Sequence, residues 1–319
     1  MSPLAKELFY LLQSGEIYSG EALAQRFDVT RQAVWKAINE LKVGHLVETI
    51  GRQGYKAFYP YIPLDQKSIL AKLPKNCVDD VITQIDVTST NEEIAKLPMK
   101  KALVMVCEMQ TQGRGRNGKV WVSPLARNLY FSMRIQFKTQ ALANLTSFSP
   151  ALGIYLVEYL QSKNIPAKIK WPNDIWVNGA KLAGILIETS AKSEHEVEMI
   201  IGIGLNNLPL ADTNLTQNKA TSVYEVLGEA IDRNILVADI IQLISNLRDD
   251  YESFNIPNIV ELWNHNSALY SQKIKLFSPA REIIGTEVGI ADNGALLIQN
   301  EDGTVQQYFS GELSLRAYA

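Results

Sequence analysis

Apolar residues recur at helical spacing from the start of the chain. Leu4, Leu8, Leu11 and Leu12 fall on one stripe and predict a helix over residues 4–12. Residues 19–27 predict a second, short helix, with Asp28-Val29 as the turn after it. Thr30 is a candidate N-cap for a third helix, its hydroxyl accepting from a free backbone N–H. In that helix Val34, Ile38 and Leu41 face inward with Ala33 and Ala37, leaving Arg31, Gln32, Lys36 and Asn39 outward. The period then changes from helical to alternating: residues 46–50 and 55–59 predict two strands, joined by Gly51-Arg52-Gln53-Gly54. Two short helices, a tight turn and a basic-tipped hairpin match a winged helix-turn-helix. Arg31, Gln32 and Lys36 would then face DNA, the Arg and Gln within reach of base edges, and Arg52 would touch phosphate. A protein-docking module of the same shape is the other reading, because this segment carries seven Lys/Arg against six Asp/Glu. Tyr59-Pro60-Tyr61-Ile62-Pro63 predicts an extended connection.

Beyond residue 80 strands and helices alternate at short spacing. Strands are predicted over 103–108, 128–137, 168–171, 174–177, 180–188 and 197–204. Helices are predicted over 91–96, 146–163, 221–229 and 235–254. Asn178-Gly179 is a two-residue hairpin turn. Consecutive strands joined by hairpins imply an α+β fold on a mixed, mostly antiparallel sheet, with no Walker loop and no Rossmann pattern. From residue 271 short strands over 273–277, 281–290, 295–299 and 305–309, with turns at Asn293-Gly294 and Asp302-Gly303, predict a small SH3-like β-barrel. The expected domains are therefore residues 1–62, 63–268 and 269–319.

Composition changes this picture little. The chain has 319 residues, an ordinary apolar fraction of 46% and a formal net charge of −3. Cys77 and Cys107 form neither a metal-ligand spacing nor a disulfide framework, and His45, His195 and His265 stand apart, so no resident metal is expected. No apolar run approaches membrane-spanning length, and a cytoplasmic, reduced setting is expected. Local charge is more telling. No acidic residue lies between Glu108 and Glu158, where Arg114, Arg116, Lys119, Arg127, Arg134 and Lys138 all fall. Such a tract can gather anionic ligands.

The candidate chemistry lies in loops between these elements. Ser89-Thr90-Asn91 offers two hydroxyls and an amide, either to a neutral polar ring or simply as a helix cap, the latter favoured for Ser89 and Thr90 alone. Gln110 to Gly118 contains three glycines and two arginines, a mobile backbone with guanidinium forks for phosphate or carboxylate. Lys170-Trp171-Pro172-Asn173-Asp174 puts a lysine, an amide and a carboxylate about a rigid turn. Asp174 is a metal ligand, a proton acceptor or a turn aspartate. Lys181, following the Asn178-Gly179 turn, is either a fixed charge on rigid structure or a solvated strand end. Gly202-Ile203-Gly204-Leu205-Asn206 ends a strand whose glycines let a ligand approach the backbone.

Taken together, Ser89-Thr90-Asn91, Gly113-Arg114-Gly115-Arg116, residues 170–174, Lys181-Leu182-Ala183-Gly184-Ile185-Leu186 and residues 202–206 resemble the biotin–protein ligases. With the winged helix the chain looks like their bifunctional bacterial form, which also represses the biotin operon. The resemblance runs from residue 4 to the end; Gly311 to Arg316 matches the family's terminal motif, which barrel closure alone would also explain. It implies that biotin and ATP, with Mg²⁺, condense to biotinyl-5′-adenylate, which then acylates a lysine of the biotin carboxyl carrier protein of acetyl-CoA carboxylase. It assigns biotin binding to Ser89, Thr90, Asn91, Gln110, Arg114, Gly115, Arg116, Lys181 and Gly184. Trp121, Asn173 and Asn206 would hold the adenylate. Lys181, Asp174 and Arg116 would be catalytic, Lys181 neutralising the approaching anions and Asp174 orienting or deprotonating the incoming lysine. The adenylate-bound form would dimerise and bind operator DNA. Lys119 departs from the arginine frequent in the family and lacks its bidentate fork. A biotin sensor without ligase activity, or a lipoate or octanoate ligase, are the alternatives.

Overall fold

The computed structural model describes residues 2–43, 46–59, 62–98, 100–138, 145–191, 196–210, 219–255, 258–277, 282–309 and 314–317. The first helices are α1 (Pro3–Leu12), α2 (Gly20–Arg26) and α3 (Arg31–Val43), followed by the hairpin β1 (Val47–Ile50) and β2 (Gly54–Ala57). Ser19 caps α2 through Ala22 N, and Thr30 caps α3, accepting from Ala33 N at 3.1 Å. Asp28 takes the left-handed conformation in the turn between them, at φ 51°. Leu8, Leu12, Leu23, Val34, Ile38 and Leu41 form the core of this unit; Ala33, expected inside, is half-buried. Arg31, Gln32, Lys36 and Arg52 are exposed.

The central unit comprises α4 (Gln66–Leu70), β3 (Asp80–Val87), α5 (Thr90–Lys96), β4 (Ala102–Gln110), β5 (Leu129–Lys138), α6 (Phe148–Ser162), β6 (Lys168–Lys170), β7 (Asp174–Val177), β8 (Ala180–Ala191), β9 (Glu196–Leu205), α7 (Val223–Leu227), α8 (Arg233–Glu252) and α9 (Ile259–Asn266). Its seven strands run in the order β3-β4-β5-β9-β8-β7-β6. Only β3 against β4 is parallel, so the sheet is mixed and mostly antiparallel. Strand alternation gives the sheet two unlike faces. Phe131, Met133, Ile135, Ile201, Ile203 and Ile185 point toward α6 and α8 into the main core. The other face carries α5 over Leu103, Met105 and Ile200, and beside it small residues: Ser132 pairs with Gly202, and Gly184 with Gly204. That second face holds the candidate site.

The hairpin at Asn178-Gly179 has both residues at positive φ, 49° and 78°, as its sequence predicts. The pattern did not reveal β3, α4 or α9. Five strands, β10 (Lys273–Phe277), β11 (Glu282–Ile290), β12 (Leu296–Gln299), β13 (Val305–Tyr308) and β14 (Ser314–Ala317), form an antiparallel sheet in the order β13-β12-β11-β10-β14. The start of the terminal motif, residues 311–313, lies outside the described residues; its end pairs with β10, Leu315 opposite Leu276.

The units touch closely. Leu125 and Ala126 of the central unit are built into the helix-turn-helix core, and Lys6 Nζ meets Asp86 Oδ1 at 2.5 Å. The connection is tied down: Leu64 N donates to Glu108 Oε1 at 3.0 Å, and Arg233 holds Glu108 at 2.7 Å and Ile62 O at 3.2 Å. No helix among the described residues is long and apolar enough to cross a membrane.

Candidate active site

A cavity of about 690 Å³ opens on the small-residue face of the sheet. Ser89, Thr90, Asn91, Gln110, Arg114, Gly115, Arg116, Trp121, Asn173, Asp174, Lys181, Gly184 and Asn206 all line it. These residues come from segments up to 117 positions apart in the chain (Ser89 to Asn206). The sheet glycines explain part of the convergence. A Cβ at Gly202 would lie 2.5 Å from Asn91 Oδ1, and one at Gly204 would lie 2.2 Å from the Trp121 indole. Absence of side chains there lets Asn91 and Trp121 lie against the strands.

The end of the cavity near α5 is polar and internally bonded. Gln110 Oε1 accepts from Thr90 N at 2.8 Å and from Thr90 Oγ1 at 3.1 Å. Ser132 Oγ lies 2.7 Å from Thr90 Oγ1 and 2.5 Å from Asn91 Oδ1. Ser89 is buried at the N-cap position of α5 but makes no side-chain cap hydrogen bond, so the capping role favoured for it is not what its hydroxyl does. Thr90, inside the helix rather than before it, bonds to Gln110 instead of capping. These donors and acceptors suit a small neutral ring carrying both N–H and C=O groups.

The other end is cationic. Lys181 is the second residue of β8, clamped by backbone bonds to Lys219 O at 2.8 Å and from Thr221 N at 3.0 Å. Its Nζ meets Asp174 Oδ1 at 2.5 Å and sits 5.2 Å from the centre of the Trp121 ring. This is a half-buried ion pair on rigid strands, not a solvated strand end. Arg116 Nη1 donates to Asn173 Oδ1 at 3.2 Å. Burial pulls the Arg116 guanidinium below the usual arginine range, while the charge of Asp174 opposes the shift. A cation in partly desolvated surroundings gains from an arriving anion. Trp121 Nε1 is buried without a hydrogen-bond partner. Lys119 also lines the cavity, at the exposed tip of the loop.

The Gly-rich loop, expected to be mobile, is tied across its base: Trp121 N donates to Gly113 O at 2.9 Å and Gly115 N to Lys119 O at 2.7 Å. Asn173 and Asn206 are more committed than their sequence suggests. Asn173 Nδ2 donates to Ile185 O, and Asn206 Nδ2 to Thr221 O at 3.0 Å and Lys181 O at 3.4 Å. Both hold the strands that carry Lys181. Two cations of the acid-free tract do not serve the cavity. Arg134 is buried against Glu198, with Nε 2.7 Å from its Oε2, and Arg127 donates to Pro209 O. Sequence reading did not single out Ser132, Ser123, Glu92 or Glu188; only their contacts, not any motif, reveal them.

A helix-turn-helix joined to a cavity with a neutral polar end and a cationic end suits a DNA-binding protein that takes an anionic ligand carrying a neutral ring. The comparisons agree. Residues 4–56 match the HTH domain family, residues 81–206 the Biotin/lipoate A/B protein ligase family and residues 272–316 the Biotin protein ligase C terminal domain. The chain is 32% identical to the bifunctional ligase/repressor BirA of Escherichia coli strain K12, covering 98% of this chain and 97% of that protein. It is 30% identical to the protein of the same name from Bacillus subtilis strain 168, over 98% and 99%. The biotin protein ligase of Aquifex aeolicus in complex with biotin and ATP superposes with a TM-score of 0.66 at 28% identity, covering 75% of this chain and all of that one. The chain belongs to the bifunctional ligase/repressor family of biotin–protein ligases.

Proposed function

We propose that the protein condenses biotin with ATP at this cavity, releases pyrophosphate, and transfers the biotinyl group from the adenylate to a lysine of a biotin carboxyl carrier protein, that of acetyl-CoA carboxylase. The observation carrying this reading is the pairing of Lys181 with Asp174 beside Arg116, at one end of a cavity whose other end is a neutral hydrogen-bonding pocket. The ureido ring of biotin fits Ser89, Thr90, Asn91 and Gln110. Its carboxylate then points to Lys181, and the α-phosphate to Lys181 and Arg116, which offset the repulsion of two anions as the carboxylate oxygen attacks phosphorus. The adenine and ribose lie near Trp121, Asn173 and Asn206. As the anions take over Lys181, Asp174 is released from its ion pair and is placed to orient the incoming amine or accept its proton.

Asp174 is the one carboxylate lining the cavity among the described residues. That suits Mg²⁺ brought in on the phosphates, which needs few protein ligands. When bound, the ion would neutralise charge on the pyrophosphate leaving group. Arg31, Gln32, Lys36 and Arg52 form the DNA-reading side of the helix-turn-helix, the adenylate-bound protein pairs with a second copy to meet inverted operator half-sites, and the setting is the cytoplasm. Retardation of operator DNA should strengthen when biotin and ATP are both present. Equal DNA affinity with and without them would overturn the regulatory half of this reading.

A further inference from the structure

Arg114 reaches away from the cavity as well as lining it. Its Nε lies 3.1 Å from Glu92 Oε1, and its Nη2 lies 3.2 Å from both oxygens of Glu188. Glu92 belongs to α5 and Glu188 to β8, so one loop side chain bridges two rigid elements. Glu188 Oε2 also accepts from Asn91 Nδ2 at 2.8 Å. From Asn91 the contacts run through Ser132 and Thr90 to Gln110. Gln110 Nε2 donates to Ser123 Oγ at 2.9 Å, and Ser123 Oγ donates to Trp121 O at 2.9 Å. Trp121 N closes the path on Gly113, the neighbour of Arg114. The hydrogen bonds therefore form a ring that leaves the loop at Arg114, crosses the polar end of the cavity and returns at the base of the loop. Glu188 joins the loop part of the ring to the sheet part.

We propose that Glu188, backed by Glu92, is a positioning residue that latches Arg114 and so holds the Gly113–Val120 loop closed over the bound adenylate, signalling through Asn91 that the polar end is correctly filled. This rests on the ligase reading above. Its chemical purpose is water exclusion: water attacking the acyl carbon would break the bond to the phosphate oxygen and release biotin and AMP with nothing transferred. Neither glutamate lines the cavity. Their pairs with Arg114 are 34–41% exposed, strong enough to bias a loop and weak enough to open it for the carrier lysine.

The test uses Glu188→Gln, Glu92→Gln and the double variant of the full chain. Three readouts are compared with wild type: biotin-dependent exchange of pyrophosphate into ATP, AMP released without carrier protein, and trypsin cleavage after Arg114, Arg116 or Lys119. Exchange should stay within about twofold, because neither glutamate lines the cavity or reaches Lys181. Carrier-free AMP release should rise about fivefold or more in the double variant, the scale two half-exposed ion pairs permit, and loop cleavage should rise with it. Wild-type leakage should also rise with salt, and that response should shrink in the double variant. Unchanged AMP release and unchanged cleavage in folded variants would overturn the latch. Glu188→Asp, which keeps the charge, should restore part of the retention if Glu188→Gln folds poorly; failure to do so also counts against it. Absence of exchange in the wild type would instead defeat the ligase reading, and trypsin cleavage would then decide the latch by itself.

Discussion

At Gly204 a single hydrogen in place of a side chain lets the Trp121 indole lie on the sheet, with the Lys181 ammonium 5.2 Å from the ring centre. Gly204→Ala places a methyl group 2.2 Å from that ring. Trp121 must then leave, and overpacking of this kind costs about 1–3 kcal/mol. The expected result is a rise in KM for ATP larger than that for biotin, read from initial rates. An equal rise in both, or none, would contradict the placement of the nucleotide beside Trp121. Far from the cavity, Glu287 is buried between α9 and β11, its Oε1 accepting from Trp263 Nε1 at 3.0 Å and from Ser267 Oγ at 2.6 Å, while Oε2 has no partner. Burial pushes its carboxyl above the usual range, against the two hydrogen bonds. The charged form is thus disfavoured in the fold relative to the unfolded chain. The stability it confers is complete below the unfolded-state pKa and is lost as pH rises through the higher folded-state value. Glu287→Gln should remove this dependence, so its Tm advantage over wild type should grow from acid to mildly alkaline pH. An advantage that shrinks with rising pH would contradict the assignment.

Among the elements, α3 carries an observation that helical periodicity alone did not raise. Trp35 is 57% exposed, on the flank of the helix shared with Arg31 and with Lys42, whose Nζ lies 5.4 Å from the ring of Tyr55 in the hairpin. Trp35 thus shares the exposed side of α3 with Gln32 and Lys36, the side proposed to meet DNA. Trp35→Ala should weaken operator binding about tenfold, the loss of roughly 1.4 kcal/mol, and leave biotin transfer unchanged; gel retardation and transfer assays check the two halves separately. The elements also show what patterning conveys. Strands β5 and β9 alternate, β8 is an apolar run set off by the chemically specified Asn178-Gly179 turn, and α3 has a capping threonine, so all were legible. β3 is a half-exposed edge strand with no clean alternation, α4 is five residues long, and α9 follows a break in the pattern. Their positions are set by packing against distant segments, which local periodicity does not encode.

For the whole molecule, the site was legible because each cavity-lining segment carries an unusual local composition: cations among glycines, an asparagine-aspartate pair after Trp171-Pro172, glycines within an apolar strand. What was not legible is which charges face the cavity. Arg134 and Arg127 belong to the same acid-free tract as Arg114 and Arg116 but are bound to Glu198 and Pro209, and Glu188 looks like any polar strand end until its contact with Arg114 is seen. The same integration joins the cavity to the helix-turn-helix. The segment from Trp121 to Ala126 touches Lys181 at one end and is built into the helix-turn-helix core at the other. The role proposed for Lys181 and its neighbours is to drive adenylate formation from biotin. It is tested most directly by exchange of labelled pyrophosphate into ATP, measured on the wild type and on Lys181→Ala. Exchange should require biotin and collapse in the variant; exchange without biotin, or equal exchange in both proteins, would overturn this role for Lys181.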